Sequence, residues 1–142
     1  MAEAMRQAFH RVSVATRGKG LYDITPEVRA WIKREQFGDG LLSLFCRHTS
    51  ASLLINENAD PDVRTDLAAY FERIAPEDGP YVHDAEGPDD MPAHIRTALT
   101  QTHLSIPMQS GALLLGAWQG VYLFEHRSAP YTREVAAHFI GT

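Results

Sequence analysis

Residues 41–76 read LLSLFCRHTSASLLINENADPDVRTDLAAYFERIAP, and this stretch decides the fold. LLSLFCRHT (41–49) is apolar enough to be a strand covered on both sides. ASLLINEN (51–58) supplies a second strand almost at once. Asp60 then stands where a helix N-cap belongs, with Pro61 at the first helical position. Val63, Leu67, Tyr70, Phe71 and Ile74 follow at helical spacing. Strand, strand, helix is an α+β order.

The flanks agree. Upstream, FHRVSVAT (9–16) puts Val12 and Val14 on one strand face, and RGKGLYDIT (17–25) reads as a turn. TPEVRAWIKREQF (25–37) reads as a helix capped by Thr25 and opened by Pro26, with Val28, Trp31 and Ile32 on one face and GDG (38–40) ending it. Downstream, MPAHIRTAL (91–99) is a second Pro-led helix. Four β-like runs close the chain: HLSIPM (103–108), ALLLG (112–116), GVYLFEHR (120–127) and EVAAHFI (134–140), with QSG (109–111) short enough for a hairpin turn. The expectation is one α+β domain over 1–142, with helices packed on one side of a mostly antiparallel sheet.

Composition bounds the function. A chain of 142 residues can bury a real core as one domain. Its net charge of −5 argues against a general nucleic-acid binder, which needs a basic patch. No apolar run approaches the roughly 18 residues of a membrane span. MAEAMRQAFHRVSV (1–14) lacks the apolar stretch of a secretory signal. The single cysteine, Cys46, excludes an internal disulfide and sits inside an apolar strand, so it is expected in the core. These features lead us to expect a cytoplasmic protein.

The chemistry concentrates in YVHDAEGPDDMPAH (81–94), where His83 and His94 bracket Asp84, Glu86, Asp89 and Asp90. His94 falls in the first turn of a helix. His48 ends an apolar strand and leads into Thr49 and Ser50, a good place to present side chains to a ligand. His10, His103 and His138 lie among ordinary strand residues. Three histidines from a strand end, a loop and a helix start could form the open three-ligand site that catalytic zinc prefers. No H-E-x-x-H, C-x-x-C or H-x-H spacing supports it. Three unrelated surface histidines beside a solvated acidic loop fit the spacing equally well. Glu57, Asp89 and Asp90 are the candidate proton-transfer groups. Trp118 and Gln119, between glycines in GAWQG, could stack on and hydrogen-bond a heteroaromatic ligand. Arg127 or Arg133 could neutralise a phosphate. Glu125 and His126 alternate on their strand, so at most one is expected to face a pocket.

RHTSASLLINENADPDVRTDL (47–67), the histidine-bracketed loop, SIPMQSGALLLGAWQGVYLFEHR (105–127) and the closing Arg133, Ile140 and Gly141 together resemble the YjbQ-like family. Its members are small bacterial, archaeal and plant proteins often labelled secondary thiamine-phosphate synthases. The resemblance covers residues 8 to 141. It implies an α+β fold, a homotrimer, a pocket near the subunit interface, and a divalent metal, commonly zinc, on His48, His83 and His94. Two positions depart from the family pattern: Gln101 replaces a common glycine, and Thr132 replaces a second arginine beside Arg133. Joining a pyrimidine pyrophosphate to a thiazole phosphate commonly uses oxygen-held magnesium, whereas three histidines suit zinc. The function expected is a metal-dependent enzyme on a phosphorylated or heterocyclic small metabolite, with Ser50, Trp118, Gln119, Arg127 and Arg133 binding substrate. The alternative is a non-catalytic trimer that binds a metal and a small molecule.

Overall fold

The computed structural model describes residues 4–142, so the first three residues of the stretch read for a leader lie outside the described residues. Two antiparallel sheets form the fold. The larger contains β1 (Arg6–Thr16), β3 (Gly40–Cys46), β5 (His103–Gln109), β6 (Ala112–Leu113) and β8 (Tyr131–Gly141), in the order β1-β8-β3-β5-β6. The smaller places β7 (Gln119–Glu125) between β2 (Gly20–Asp23) and β4 (Ala51–Glu57). Three helices, α1 (Thr25–Glu35), α2 (Pro61–Ile74) and α3 (Asp90–Leu99), complete it. The mostly antiparallel α+β reading holds, with two sheets in place of one. None of these helices is long and apolar enough to cross a membrane.

The core lies between the sheets. Leu42, Leu44, Val135, Ala137 and Phe139 point inward from the large sheet and meet Leu53, Val121 and Leu123 of the small one. Val28, Trp31 and Ile32 insert one face of α1 into the same cluster. α2 packs on β2 and α3 on β4, covering the other side of the small sheet. The strand buried on both faces is therefore β7, continuously buried from Gly120 to Glu125. β3 is covered on one face only: Leu41 and Phe45 are 39% and 52% exposed, which corrects the expectation from its apolar run.

Other local readings divide. The Asp60 side chain accepts the Asp62 N–H at 2.9 Å and caps α2, with Pro61 opening it. Ser110 and Gly111 have φ of 51° and 79°, the two positive values of a type I′ hairpin, and join β5 to β6. RGKGLYDIT holds a strand, not only a turn, because β2 pairs with β7 from Gly20↔Glu125 to Asp23↔Tyr122. Thr25 does not cap α1. It is the first helical residue, and its buried hydroxyl accepts the Val121 N–H at 2.8 Å. Asp23 takes over, accepting the Thr25 N–H at 2.9 Å. On α2 only Phe71 is buried, and Tyr70 and Ile74 stay exposed.

Candidate metal centre

The loop before α3 folds back on the helix it starts. Asp90 opens α3, and His94 lies one turn later on the same side. His83 reaches in from the loop. His83 Nε2 and His94 Nε2 lie 2.6 and 3.1 Å from the same oxygen, Asp90 Oδ2. Ligand atoms of these three residues all fall within 4.8 Å of one another. A cleft of about 290 Å3 lined by Tyr81, His83, Asp84 and Gly87 opens beside them.

Hydrogen bonds on the far sides orient the three groups. His94 Nδ1 donates to the Thr49 carbonyl at 3.0 Å. In the neutral ring that leaves a lone pair on Nε2, facing a carboxylate oxygen that is also an acceptor. The contact is favourable only with a proton shared between ring and carboxyl, or with a metal ion between them. The other oxygen, Asp90 Oδ1, accepts from Arg127 Nη1 at 2.6 Å. A histidine tied to a backbone carbonyl and a carboxylate tied to a guanidinium are the outer contacts that ligands of bound metals commonly carry. The donor set therefore fits a divalent transition metal such as zinc.

Arg127 organises the whole loop. Its Nε donates to Asp89 Oδ2 at 3.0 Å and its Nη2 to the Glu86 carbonyl at 3.0 Å. Asp89 also accepts the Ser128 N–H at 2.8 Å. Gly87 turns the chain at φ +102°, and a Cβ there would stand 3.2 Å from Asp89 Oδ1. Burial pushes the Asp90 carboxyl up, but the His83 hydrogen bond and the Arg127 charge outweigh it and hold the group below the usual carboxylate range. The Asp90 hydrogen bond raises the pKa of His83.

A second buried assembly lies alongside. Arg133 is 5% exposed, and Glu125 is fully buried. Arg133 Nε donates to Glu125 Oε1 at 2.7 Å and Nη2 to the other carboxylate oxygen and to Ser50 Oγ, the last at 3.0 Å. Glu125 also accepts from Thr16 Oγ1 at 2.6 Å. This pins Ser50 next to the Thr49 carbonyl that holds His94. His126 is also buried: its Nε2 pairs with Ser52 Oγ at 2.8 Å, and burial lowers its pKa to about 3. Glu125 and His126 are thus both internal. Arg127 and Arg133, read in the sequence as phosphate-binding side chains, each engage a carboxylate of the same chain.

The remaining sequence candidates lie apart. His48 is outside the His83–Asp90–His94 cluster. Its Nε2 accepts the Glu134 N–H at 2.8 Å, at a shallow hollow lined by Phe45, Cys46 and Thr102. Glu57, Trp118 and Gln119 sit at the other end of the β4–β7 ladder, where Glu57 pairs with Gln119 while Ala51 pairs with Glu125. Seven strand residues separate the two ends by roughly 20 Å. There the Glu57 carboxylate accepts the N–H groups of Ala59 and Asp60 at 3.1 and 2.7 Å. Gln119 Oε1 accepts the Gly116 N–H at 2.8 Å, closing the GAWQG turn, and Trp118 is 66% exposed. Cys46 is core, with burial pushing its thiol up to about 11.

Asp90 as a possible ligand was legible in one feature: it precedes His94 by four residues at a helix start, so both share a face. The Arg127 and Arg133 partnerships had no such signal.

A family model described as "UPF0047 protein YjbQ-like" matches residues 10–142. A UPF0047 protein of Synechocystis sp. is 51% identical over 99% of this chain and 96% of its own length. The UPF0047 protein YjbQ of Escherichia coli O157:H7 is 39% identical over 92% and 95% of the two chains. A solved structure of a yjbq/upf0047 family protein from Clostridium acetobutylicum superposes with a TM-score of 0.85 at 35% identity, covering 92% of this chain and 98% of that one.

Proposed function

The chain belongs to the YjbQ-like UPF0047 family, and we propose that it is a metal-dependent enzyme acting on a small metabolite. The observation that carries this reading is the convergence of His83, Asp90 and His94 with a lone pair aimed at a carboxylate oxygen. A divalent ion there, zinc by the donor chemistry, would polarise a carbonyl or phosphoryl oxygen or activate water. Asp90 and the two histidines hold it, Arg127 and the Thr49 carbonyl fix their orientation, and the cleft beside Tyr81 and Asp84 admits the substrate. His48, which the family resemblance adds to the ligands, stands near the same end of β4. Thiamine-phosphate formation is one candidate reaction, and the substrate class remains phosphorylated or heterocyclic metabolites.

A homotrimer belongs to the proposal. Tyr70, Ile74, Leu99, Leu114 and Trp118 are exposed, and contacts between subunits would give such side chains cover. A pocket shared between subunits would let Trp118, Gln119 and Glu57 of one chain face the histidine end of another. Light scattering should give about three times the 15.8 kDa chain mass. A monomer at micromolar concentration would remove the shared pocket.

The second reading is a non-catalytic trimeric binder. It is favoured by the engagement of each candidate base: Asp89 and Asp90 by Arg127, and Glu57 by backbone N–H groups. Elemental analysis of the purified protein, His83→Ala, Asp90→Ala and the surface control His103→Ala tests the centre. The first two variants should lose most of the metal and the control should keep it. Equal metal content in all four would sink the centre. Turnover assays against phosphorylated and heterocyclic metabolites then separate enzyme from binder, since a binder retains ligand without converting it.

A further inference from the structure

A groove of about 450 Å3 runs between the C-terminal half of α1 and the β5–β6 hairpin. Its floor is apolar, formed by Ile32, Phe37 and Leu113. On its rim Arg29 and Lys33 stand one helical turn apart, both exposed. Among the described residues neither enters an ion pair, so both charges are open to an anion. The end of a helix favours a cation, which accounts for Lys33. It does not account for Arg29 in mid-helix, where like charges four residues apart repel.

The walls are fixed in advance. Ser110 N–H donates to Asp39 Oδ1 at 2.7 Å and Gly111 N–H to the Gly38 carbonyl at 3.1 Å, tying the hairpin to the end of α1. Arg6 donates to the Glu35 and Gln36 carbonyls at 2.6 and 3.0 Å and lies 4.8 Å over the Phe37 ring. The volume falls within the roughly 300–1,000 Å3 of small-molecule sites, which combine an apolar floor with a few placed polar groups.

We propose that this groove binds a small amphiphilic anion, an aromatic or short aliphatic body carrying one acidic group. The body packs on Leu113 above the nearly buried Ile32 and Phe37, and the acid sits between Arg29 and Lys33. The site is separate from the histidine centre. β3 starts beside the groove at Gly40 and ends at Cys46, two residues before His48, and spans roughly 20 Å.

The test uses 1-naphthoate titrated into isotopically labelled full-length protein, followed by NMR. Saturable one-to-one shifts are expected at the amides of Ile32, Phe37, Gly111 and Leu113. Arg29→Gln with Lys33→Gln should weaken binding about tenfold, since two exposed charge contacts supply no more than that. The neutral isostere 1-naphthalenemethanol should bind wild type as weakly as naphthoate binds the variant. Ala112→Trp, which fills the groove mouth, should abolish the shifts. Equal naphthoate affinity in wild type and double variant, shifts centred elsewhere, or no saturation would overturn the proposal.

Discussion

The two ends of the β4–β7 ladder are built differently. At the Ala51–Glu125 end, acidic and basic side chains are buried, paired and mutually oriented: Glu125 with Arg133, Asp90 with Arg127, and His126 with Ser52. At the Glu57–Gln119 end, Glu57 and Gln119 close their own turns, Asn58 Nδ2 and Tyr122 OH donate to the Gln119 and Glu57 carbonyls, and Trp118 stands in the open. The first end is organised by tertiary contacts between charged groups and the second by local turns and a few neutral hydrogen bonds. Chemistry that needs fixed geometry belongs at the first. The second end offers a surface whose use depends on what covers it.

Acid should expose this difference most. His126 is buried neutral, with its pKa lowered from 6.5 to about 3. A lowered pKa means the unfolded state binds the proton more readily. The associated stability is complete above pH 6.5 and is lost progressively as pH falls towards 3, by roughly 4 to 5 kcal/mol. Urea melts across this window should show the loss, and His126→Met should flatten it. An unchanged slope would remove His126 from the account.

Next in size is the buried pair. Arg133→Ala leaves the buried Glu125 carboxylate without its counter-charge, which should cost about 3 to 5 kcal/mol. Arg133→Leu combined with Glu125→Leu should recover most of it, measured by the same melts. If Arg133→Ala costs under 1 kcal/mol, that end is not organised by its ion pairs.

Arg127→Gln separates orientation from ligation. It keeps all three candidate ligands but removes the guanidinium from Asp90 and Asp89. Metal affinity should fall about 10- to 100-fold by competition with a chelator, as for other outer contacts of metal ligands. No change would mean that Asp90 needs no support.

The smallest effect is expected at the open end. Trp118→Ala should move folding stability by no more than about 0.5 kcal/mol, because the ring buries little within the chain. Light scattering on the same variant asks whether the ring matters between chains. A loss of several kcal/mol at low concentration would show that the open end is structural after all.

Much of this was legible beforehand. The apolar run at 41–49 marked a strand, though not that only one of its faces is covered, and Asp60 with Pro61 marked the start of α2. A hairpin at QSG (109–111) followed from its short length, and its turn is Ser110–Gly111. The histidine-bracketed loop stood out by composition alone. The partners of its members did not. Arg127 reaches Asp90 across 37 residues of chain, and Arg133 reaches Ser50 across 83. Nothing periodic connects such positions.

The amino-acid sequence by itself therefore determined most of the elements, the capped start of α2, the hairpin and the placing of His94 in the first turn of α3. Each depends on backbone geometry repeating over a few residues. Only the tertiary structure decided that the strands form two sheets, that both arginines are held by carboxylates of the same chain, and that Glu57 and Trp118 stand a full strand length from His83 and His94. Those outcomes depend on which distant faces pack together. A buried charge takes whichever partner the packing delivers, because leaving it without one costs more than local preference can offset.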